Sequence, residues 1–317
     1  MRIIHVALNA PGSPQHGLKR ALASLGEVRE IDWMALQRQG QSTGRHLFQM
    51  VQEWQPDLVF MQLQTEGVIA PVVLWEIQNL SPRPVVISWS GDVRHPTPRH
   101  YFDVGKVIDL TLFTNYNDVA HLESEVASAS HLQIGFDEQT FTPFGRELEV
   151  PPIVFLGNYY ADRFPLGKHR LDMVHALRHR FGSQFKVYGS NWPFKTEWLN
   201  EPAEAACYRG CSIAIHQSHY SYGRYFSDRL LRAMGSGAFV LAHRWPGIEL
   251  DFVDGEHLVA WDSFEELTEK AAHYLVNEDE RKRIAAAGCE LVHREHTWLA
   301  RMPRLLELAG LSKGVEC

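Results

Sequence analysis

Cysteine is scarce in this chain, and long apolar runs are missing from it. The 317 residues include only 4 cysteines, at positions 207, 211, 289 and 317, and no C-x-x-C spacing. That usage is typical of reduced thiols and not of a disulfide framework. No apolar run approaches the roughly 18 residues that a membrane span needs, and no charged-then-apolar leader opens the chain. These absences predict a cytoplasmic protein without a membrane span.

Positive charge is not in excess in either half of the chain. The formal net charge is -7 at pH 7; residues 1–145 carry 10 Lys and Arg against 15 Asp and Glu, and the remaining residues carry 21 against 23. Domains that bind nucleic acid usually carry a basic face. The charge distribution therefore argues against a dedicated nucleic-acid-binding domain.

Metal-binding motifs are scarce as well. No D-x-D occurs, and the histidine pairs His216/His219 and His293/His296 have i, i+3 spacing without a third ligand in view. A zinc site in a protein needs three or four protein ligands. We therefore predict no metal site, so that chemistry on a phosphate would depend on protein cations and helix ends.

Short apolar runs alternate with amphipathic stretches over the first half of the chain. This alternation is typical of βαβ units on a parallel sheet. It predicts helices over 16–24 and 44–54, and strands over 3–8, 58–62, 85–89, 110–114 and 131–134. The segment FDEQTFTPFGRELEVPP at 136–152 has no sustained period and holds three prolines, so we interpret it as a linker.

The same alternation restarts after the linker. It predicts strands over 153–156, 185–188, 212–216, 238–242 and 258–261, with helices over 166–181, 202–208 and 224–237 and three closing helices. The length also suits about two domains. We predict two doubly wound α/β lobes, 1–143 and 144–317, with the last helix as a candidate for packing back on the N-terminal lobe.

Loops that follow the strands of the second lobe carry groups suited to a nucleotide. Ligands of open parallel sheets bind beyond the carboxyl ends of the strands. Gly157 and Asn158 follow the first strand of this lobe, and Arg163, Lys168 and Arg170 supply cations near a helix start. Ser190 and Trp192 follow the second strand, and the Trp192 indole is predicted to cover a nucleobase.

The stretch RYFSDRLLRAMGSG at 224–237 predicts a helix with two arginines on its polar side. Its apolar residues recur at helical spacing, while Tyr225, Arg229 and Arg232 lie opposite them. Ser227 or Asp228 is a suitable N-cap. Because a helix N-terminus favours anions, Arg229 in the first turn predicts a diphosphate site, whereas Arg232 need not touch the ligand. The alternative is that both arginines are solvated surface residues.

From position 225 to 306 the chain resembles the C-terminal half of group-1 glycosyltransferases, specifically their CgeB-like (spore-maturation) branch. The resemblance is carried by RLLRAMGSGAFVLA, LDFVDGEHLVAW, DSFEELTEKAAHYLVNEDERKRIAAAG and HTWLAR. It implies the GT-B fold, with two Rossmann-like lobes and an interlobe cleft. It also implies a nucleotide-sugar donor, UDP- or GDP-linked, in the second lobe, and an acceptor held mainly by the first, without a cofactor.

Donor-binding residues are assigned on the same basis. They are Gly157, Asn158, Arg163, Lys168, Ser190, Trp192, Tyr225, Ser227, Asp228 and Arg229. The arginine at 229 matches one frequent in the branch. Relatives commonly place a glutamate at position 232, in a carboxylate pair spaced eight apart that grips the donor's sugar and ribose. Here positions 224 and 232 are both arginine, and Asp228 is the nearest acidic substitute.

The first lobe carries the candidate catalytic base in VVISWSGDVRHPTPRH at 85–100. Asp92 follows a strand and is placed to take a proton from an acceptor hydroxyl; alternatively it is a turn residue. Arg94 and His95 open a basic cluster that continues to Arg99 and His100, suited to an anionic acceptor or to a plain surface loop. Gly12 and His16 lie in the first loop, where backbone commonly approaches the ligand.

Together these features predict a metal-independent glycosyltransferase that moves a sugar from a nucleoside diphosphate to an acceptor hydroxyl. The acceptor is a small molecule, a glycan or a protein. Two alternatives stay open: transfer to a hydroxymethylated base in phage DNA, and a non-catalytic protein that binds sugar nucleotides. Retention or inversion at the transferred carbon is undecided, because an Asp92 base favours inversion and the family resemblance favours retention.

Overall fold

The computed structural model describes residues 1–10, 15–125 and 128–312. The chain forms two compact units: unit 1 is Met1–Ile134 together with the chain from Trp298 onwards, and unit 2 is Gly135–Thr297. The boundary after Ile134 comes earlier than the predicted one between residues 143 and 144, because the start of the predicted linker packs on unit 2. There the Phe136 N–H donates to the carbonyl oxygen of His296 at 3.3 Å.

Unit 1 is a parallel sheet covered by helices. Its elements are β1 (Arg2–Ala7), α1 (His16–Leu25), β2 (Glu27–Asp32), α2 (Trp33–Arg38), α3 (Thr43–Trp54), β3 (Leu58–Met61), α4 (Pro71–Gln78), β4 (Val85–Ser90), α5 (Arg99–Gly105), β5 (Leu110–Phe113), α6 (Tyr116–Glu125) and β6 (Ala129–His131). The strand order is β2-β1-β3-β4-β5-β6, and every pairing is parallel. Central strands are buried on both faces, which explains their continuous apolar runs.

Unit 2 repeats this plan with fewer strands. Its elements are β7 (Ile153–Leu156), α7 (Gly167–Phe181), β8 (Phe185–Tyr188), α8 (Glu201–Gly210), β9 (Ile213–His216), α9 (Asp228–Gly235), β10 (Val240–His243), β11 (Val259–Trp261), α10 (Phe264–Val276) and α11 (Glu278–Glu295). The sheet order is β11-β10-β9-β7-β8, again with parallel pairings. The last helix, α12 (Trp298–Leu308), belongs to unit 1, where Trp298 meets Trp89 edge-on at 5.0 Å.

Both sheets have one point at which the direction of strand addition reverses. In unit 1 it lies between β1 and β3, and in unit 2 between β7 and β9. The crevice beyond the carboxyl ends of such a strand pair is the preferred ligand site of open α/β sheets. We call these the unit 1 switch point and the unit 2 switch point. They direct attention to the loops after β1 and β3, and after β7 and β9.

The helix predicted over 224–237 is shorter in the structure, since α9 spans Asp228–Gly235. Arg224 lies before it in a left-handed conformation, with φ of 56°, and its guanidinium pairs with the carboxylate of Asp251 through two contacts of 2.8 and 3.0 Å. Ser227 occupies the N-cap position, but its side chain makes no capping hydrogen bond. Among the helices of the described ranges, none is long and apolar enough to cross a membrane.

Candidate functional site

Arg170 joins the two loops that flank the unit 2 switch point. It lies on α7 and is 3% exposed. One guanidinium nitrogen, Nη1, donates to the carbonyl oxygen of Asn158 after β7 at 2.8 Å and to Nε2 of His219 after β9 at 2.7 Å. The other, Nη2, donates to the carbonyl oxygen of Gln217. A single buried cation therefore fixes the floor of this crevice.

Two N–H groups in this cluster point to a missing partner. Because a guanidinium can only donate, Nε2 of His219 accepts, and the imidazole hydrogen lies on Nδ1. That Nδ1 and Nε of Arg170 are both buried, with no hydrogen-bond partner among the described residues. Buried donors are nearly always satisfied in folded proteins, so these two indicate a site for a ligand that accepts hydrogen bonds. One acceptor, Oε1 of Gln217, is likewise unpartnered there.

Two arginines, Arg170 and Arg229, lie close enough at the unit 2 switch point for their charges to interact. Arg229, in the first turn of α9, makes no side-chain hydrogen bond or ion pair within the described ranges. Burial lowers its pKa, and the carboxylates of Asp228 and Glu204 raise it above its usual value. Burial and then the charge of Arg229 lower the pKa of Arg170. The two guanidiniums thus repel each other, and a bound anion would relieve that repulsion.

The neighbouring histidines are neutral. Burial, followed by the charges of Arg170 and Arg229, lowers the pKa of His219 to about 2 and that of His216 to about 3. Oγ of Ser218 lies 3.3 Å from Nε2 of His216 and accepts from the N–H of Ser227 at 3.2 Å. These contacts tie the β9 loop to the start of α9. The polar loop QSHYSYGRYFSD signalled this site in the sequence, although we had considered His219 only as a metal ligand.

Arg232 has a different environment from Arg229. Its guanidinium pairs with three carboxylates: Asp228 at 2.8 Å, Glu204 at 3.1 Å and Glu201 at 3.2 Å. Burial raises the pKa of Asp228, but Arg232 and Arg229 lower it below its usual value. Asp228 is therefore engaged in an ion pair and is not a free carboxylate. Both arginines that stand in place of the relatives' carboxylates, at 224 and 232, are themselves paired with acids.

Trp192 occupies a different environment from the one expected of a base-stacking residue. It is 8% exposed and packs in the core of unit 2, with its ring stacked on Tyr159 at 5.3 Å and on Phe194 at 5.4 Å. Its indole N–H donates to the carbonyl oxygen of Gly157 at 2.9 Å. Because this indole is already enclosed by protein rings, the structure corrects its role: Trp192 supports the loop after β7.

The loops after β7 and β8 are bound to each other. Oδ1 of Asn158 accepts from the N–H of Ser190 at 2.8 Å, and its Nδ2 donates to the hydroxyl of Tyr160 at 3.0 Å. A Cβ on Gly189, whose φ is +133°, would lie 2.1 Å from the carbonyl oxygen of Gly157. The glycines here allow two backbones to meet.

The remaining candidates of unit 2 differ in their relation to the Arg170 cluster, where Tyr225 raises the pKa of Arg170. Tyr225 is buried, directly before α9. Arg163 and Lys168 are exposed. Arg163 places its guanidinium 5.7 Å from the ring centre of Phe164.

In unit 1 Asp92 is exposed and directly follows β4. Oγ of Ser90 donates to the Asp92 carbonyl oxygen at 3.2 Å and lies 2.8 Å from the hydroxyl of Tyr101. Arg94 and His95 are exposed, as is His16 at the start of α1. Gly12 lies outside the described residues. The catalytic and acceptor-binding roles of these residues stay predictions.

Metal ligands do not converge in the described ranges, where no group of three or more His, Cys, Asp or Glu side chains could hold an ion. The cations of the unit 2 switch point are the groups that could neutralise a phosphate there. The sequence prediction named Arg229 among them and did not anticipate that Arg170 and His219 would be hydrogen-bonded.

Comparison with known proteins adds a family match over part of the chain and the fold of the whole. The family model described as glycosyl transferase-like matches residues 170–307, which contain Arg170, His219 and α9. No curated protein matches the chain at the level of sequence. The CgeB-like branch expected from the sequence is not distinguished by the family match.

Solved structures of similar architecture cover nearly the whole chain. Sucrose-phosphate synthase from Thermosynechococcus elongatus is 12% identical with a TM-score of 0.67, over 97% of this chain and 98% of that chain. HepE from Anabaena, solved in complex with UDP and glucose, is 12% identical with a TM-score of 0.65, over 98% and 99%. A glycosyltransferase from Rickettsia africae is 11% identical with a TM-score of 0.65, over 99% of both chains.

These likenesses confirm the predicted GT-B fold, with two Rossmann-like units. Identities this low carry the fold alone. The family match contains β9, the loop after it and α9 but begins after β7; it supports the expectation of a glycosyltransferase over residues 170–307. Residues 170–307 form a glycosyl transferase-like segment within a chain of GT-B fold.

Proposed function

We propose that unit 2 holds the diphosphate of a nucleotide sugar at its switch point and that the protein transfers the sugar to an acceptor hydroxyl. The observation that carries this proposal is a set of groups without a partner in residues 1–10, 15–125 and 128–312: the buried donors Nε of Arg170 and Nδ1 of His219, and the guanidinium of Arg229, which makes no ion pair there. A diphosphate has the acceptor oxygens and the negative charge that these groups call for.

The same groups suit the departure of a leaving group. In the transfer, the bond between the sugar's anomeric carbon and the diphosphate oxygen breaks, and its electron pair stays on the diphosphate. A bond to the acceptor oxygen forms at the same carbon. Preorganised cations that face this growing charge lower the barrier without rearranging. We therefore include metal independence in the proposal, since Arg170 and Arg229 supply positive charge at the site.

The acceptor's proton needs a base. Asp92 is exposed at the end of β4 in unit 1 and is the side chain that we assign to this role. If Asp92 does not take the proton, the departing phosphate oxygen can accept it. The choice also bears on stereochemistry, since a protein base favours inversion.

For the nucleotide we propose uridine diphosphate first and a guanosine diphosphate second. The Anabaena HepE of the same fold was solved with UDP-glucose, which supports the first choice. Membership of the CgeB-like branch and a cytoplasmic location remain parts of the proposal. They rest on the sequence resemblance and on the composition.

A ligand panel tests the proposal. UDP, UDP-glucose and GDP-mannose are each added to the intact protein, and both the melting temperature and the release of free sugar are measured. A bound ligand at 100 times its Kd stabilises the folded state by about 2.7 kcal/mol. Glucose and uridine, which have no phosphate, serve as matched controls and should not stabilise the protein.

The outcomes separate the alternatives. Stabilisation by a nucleoside diphosphate together with slow hydrolysis of its sugar ester supports the enzyme. Stabilisation without hydrolysis, and without transfer to any acceptor tried, points to a non-catalytic sugar-nucleotide binding protein. Transfer that requires a hydroxymethylated DNA duplex selects the DNA-modifying alternative. No stabilisation by any of the three nucleotides contradicts the diphosphate assignment.

A further inference from the structure

We propose that the unit 1 switch point recognises an uncharged, hydroxyl-rich acceptor through side-chain amides. This inference rests on the proposed function, because it specifies the acceptor of that transfer. It starts from four amide side chains described after β1 and β3: Asn9, Gln15, Gln62 and Gln64.

A network of amides spans the unit 1 switch point. Gln62, 1% exposed, follows β3. Its Oε1 accepts from the N–H of Leu8 at 3.3 Å and lies 2.9 Å from Nε2 of His5, and its Nε2 donates to Oε1 of Gln15 at 2.8 Å. Nε2 of Gln15 donates back to the carbonyl oxygen of Leu8 at 2.7 Å. The backbone partners fix which end of each amide carries oxygen.

The unpartnered atoms at this switch point are acceptors. Oε1 of Gln64, a residue 6% exposed, and Oδ1 of Asn9 are buried and have no hydrogen-bond partner among the described residues. Nδ2 of Asn9 donates to the carboxylate of Glu30 at 2.9 Å, and since a carboxylate only accepts, Oδ1 is the atom left over. The buried Nδ1 of His5, 3.8 Å from a carboxylate oxygen of Glu30, also has no hydrogen-bond partner within the described ranges.

Unpartnered acceptors require a ligand that donates. A hydroxyl both donates and accepts, whereas a phosphate or an ionised carboxylate has no hydrogen to offer. Buried acceptors therefore select hydroxyl groups and disfavour a phosphate or carboxylate at these positions, because an anionic group there would leave the oxygens unpaired and repelled.

Charge at the same place is already balanced. Glu30 is paired with Lys19 at 3.1 Å and accepts from Asn9. Burial lowers the pKa of His5 to about 4, against the smaller effects of Gln62 and Glu30, so His5 is neutral at pH 7. Arg94 and His95 are exposed after β4. Arg94 and Glu66 act in opposite directions on the pKa of His100, whose Nε2 lies 3.1 Å from the carbonyl oxygen of Leu63 after β3. An uncharged ligand fits this balance.

An acceptor competition tests the inference. UDP-glucose or the nucleotide sugar found by the ligand panel is supplied with neutral acceptors (glucose, maltose and inositol), with anionic ones (glucose 6-phosphate and galacturonate) and with a hydroxymethylated duplex. We expect transfer to at least one neutral acceptor with kcat/KM about tenfold or more above every anionic one. A preference for an anionic acceptor or for the duplex overturns the inference. Hydrolysis of the donor without transfer to any neutral acceptor also overturns it, but that result leaves the assignment of the donor site intact. Failure to bind or hydrolyse any donor counts against the proposed function instead.

A variant pair locates the recognition. Gln64→Met keeps the length of the side chain and removes Oε1; it should raise KM for the neutral acceptor about tenfold. The matched control is Gln52→Met, at an exposed glutamine of α3 in the same unit, which should leave KM unchanged. If Gln64→Met lowers the melting temperature too far to assay, Gln64→Glu gives the second test. It adds an acceptor charge and should further disfavour glucose 6-phosphate relative to glucose. Unchanged KM and unchanged discrimination in both variants contradict the role of Gln64.

Discussion

The two units share a strand order, but the buried hydrogen-bonding groups without a partner at their switch points differ in kind. Among the described residues, the buried unpartnered groups at the unit 2 switch point include N–H donors of Arg170 and His219; those at the unit 1 switch point include amide oxygens and an imidazole nitrogen beside an acid that is paired with a lysine. One arrangement suits a phosphate and the other a hydroxyl. The comparison teaches that this fold fixes where a ligand binds, while a few residues after the strands decide its chemistry.

The largest expected effect is a loss of transfer rate, through a residue of unit 1, at unchanged affinity for the nucleotide in unit 2. Asp92→Asn should lower the transfer rate by about 10² to 10⁴ while the Kd for UDP stays the same, because Asp92 and the diphosphate site belong to different units. Rates from initial-velocity assays and affinities from calorimetry measure the two.

Asp103→Asn, on α5 of the same unit, is the matched control, since Asp103 pairs with Arg99 on an exposed helix face. A transfer rate within a few-fold of the parent's would leave Asp92 as a turn residue. The departing phosphate would then be the proton acceptor.

The next effect distinguishes the two arginines within unit 2. Arg229→Ala should weaken UDP binding by about 10- to 100-fold, the equivalent of one charge-assisted hydrogen bond or two, with a small change in melting temperature. Arg232→Ala should change UDP binding little and lower stability. The substitution leaves three partly buried carboxylates without their cation, so the free energy of unfolding should fall by about 3 kcal/mol.

Calorimetric titration with UDP and chemical denaturation measure both properties for both variants. The opposite ordering, with Arg232→Ala weakening UDP binding more than Arg229→Ala does, would move the phosphate to the other arginine.

Acid should destabilise unit 2 more steeply than unit 1. The pKa values of His216 and His219 in unit 2 are lowered to about 3 and about 2, and that of His5 in unit 1 to about 4, burial being the first cause each time. The unfolded chain takes up these protons near pH 6.5 and the folded chain does not, so stability present above pH 6.5 is lost as pH falls. Each group contributes about 1.4 kcal/mol per pH unit.

Hydrogen exchange at pH 7 and pH 5 follows the two sheets separately. Between those values the amides of β7 and β9 should lose more protection than those of β1 and β3. Equal losses would mean that other groups dominate the acid response.

The smallest effect concerns Trp192. Trp192→Phe keeps an aromatic ring in the core of unit 2 and removes the hydrogen bond to Gly157, so the free energy of unfolding should fall by about 1 kcal/mol. UDP affinity should change less than threefold. A large loss of nucleotide affinity at unchanged stability would restore a direct contact with the base.

Most strands could be predicted from the sequence because strands that are buried on both faces form continuous apolar runs. The strands of both sheets were predicted to within a few residues, except β2, whose sequence EVREID is largely exposed at a sheet edge and has no apolar run. The helix of α9 was predicted too long, because the pairing of Arg224 with Asp251 takes the chain out of helical conformation before Asp228. That partner is distant in sequence.

The candidate sites could be predicted only where a residue's role depends on its neighbours along the chain. Arg229 was proposed from its place in a first turn, and its role stays a prediction. Trp192 was misassigned because stacking on Tyr159 and Phe194 depends on how loops pack. The amides at 62 and 64 gave no signal, since glutamine is common on surfaces and only the fold shows that these two are buried.

The repulsion between Arg170 and Arg229 has a consequence for turnover. For a donor held as proposed, the product left after transfer is the free nucleoside diphosphate, which carries more negative charge than its sugar ester. The same buried cations therefore retain the product more tightly than the substrate. We therefore expect tight retention of the product to slow release of the nucleotide.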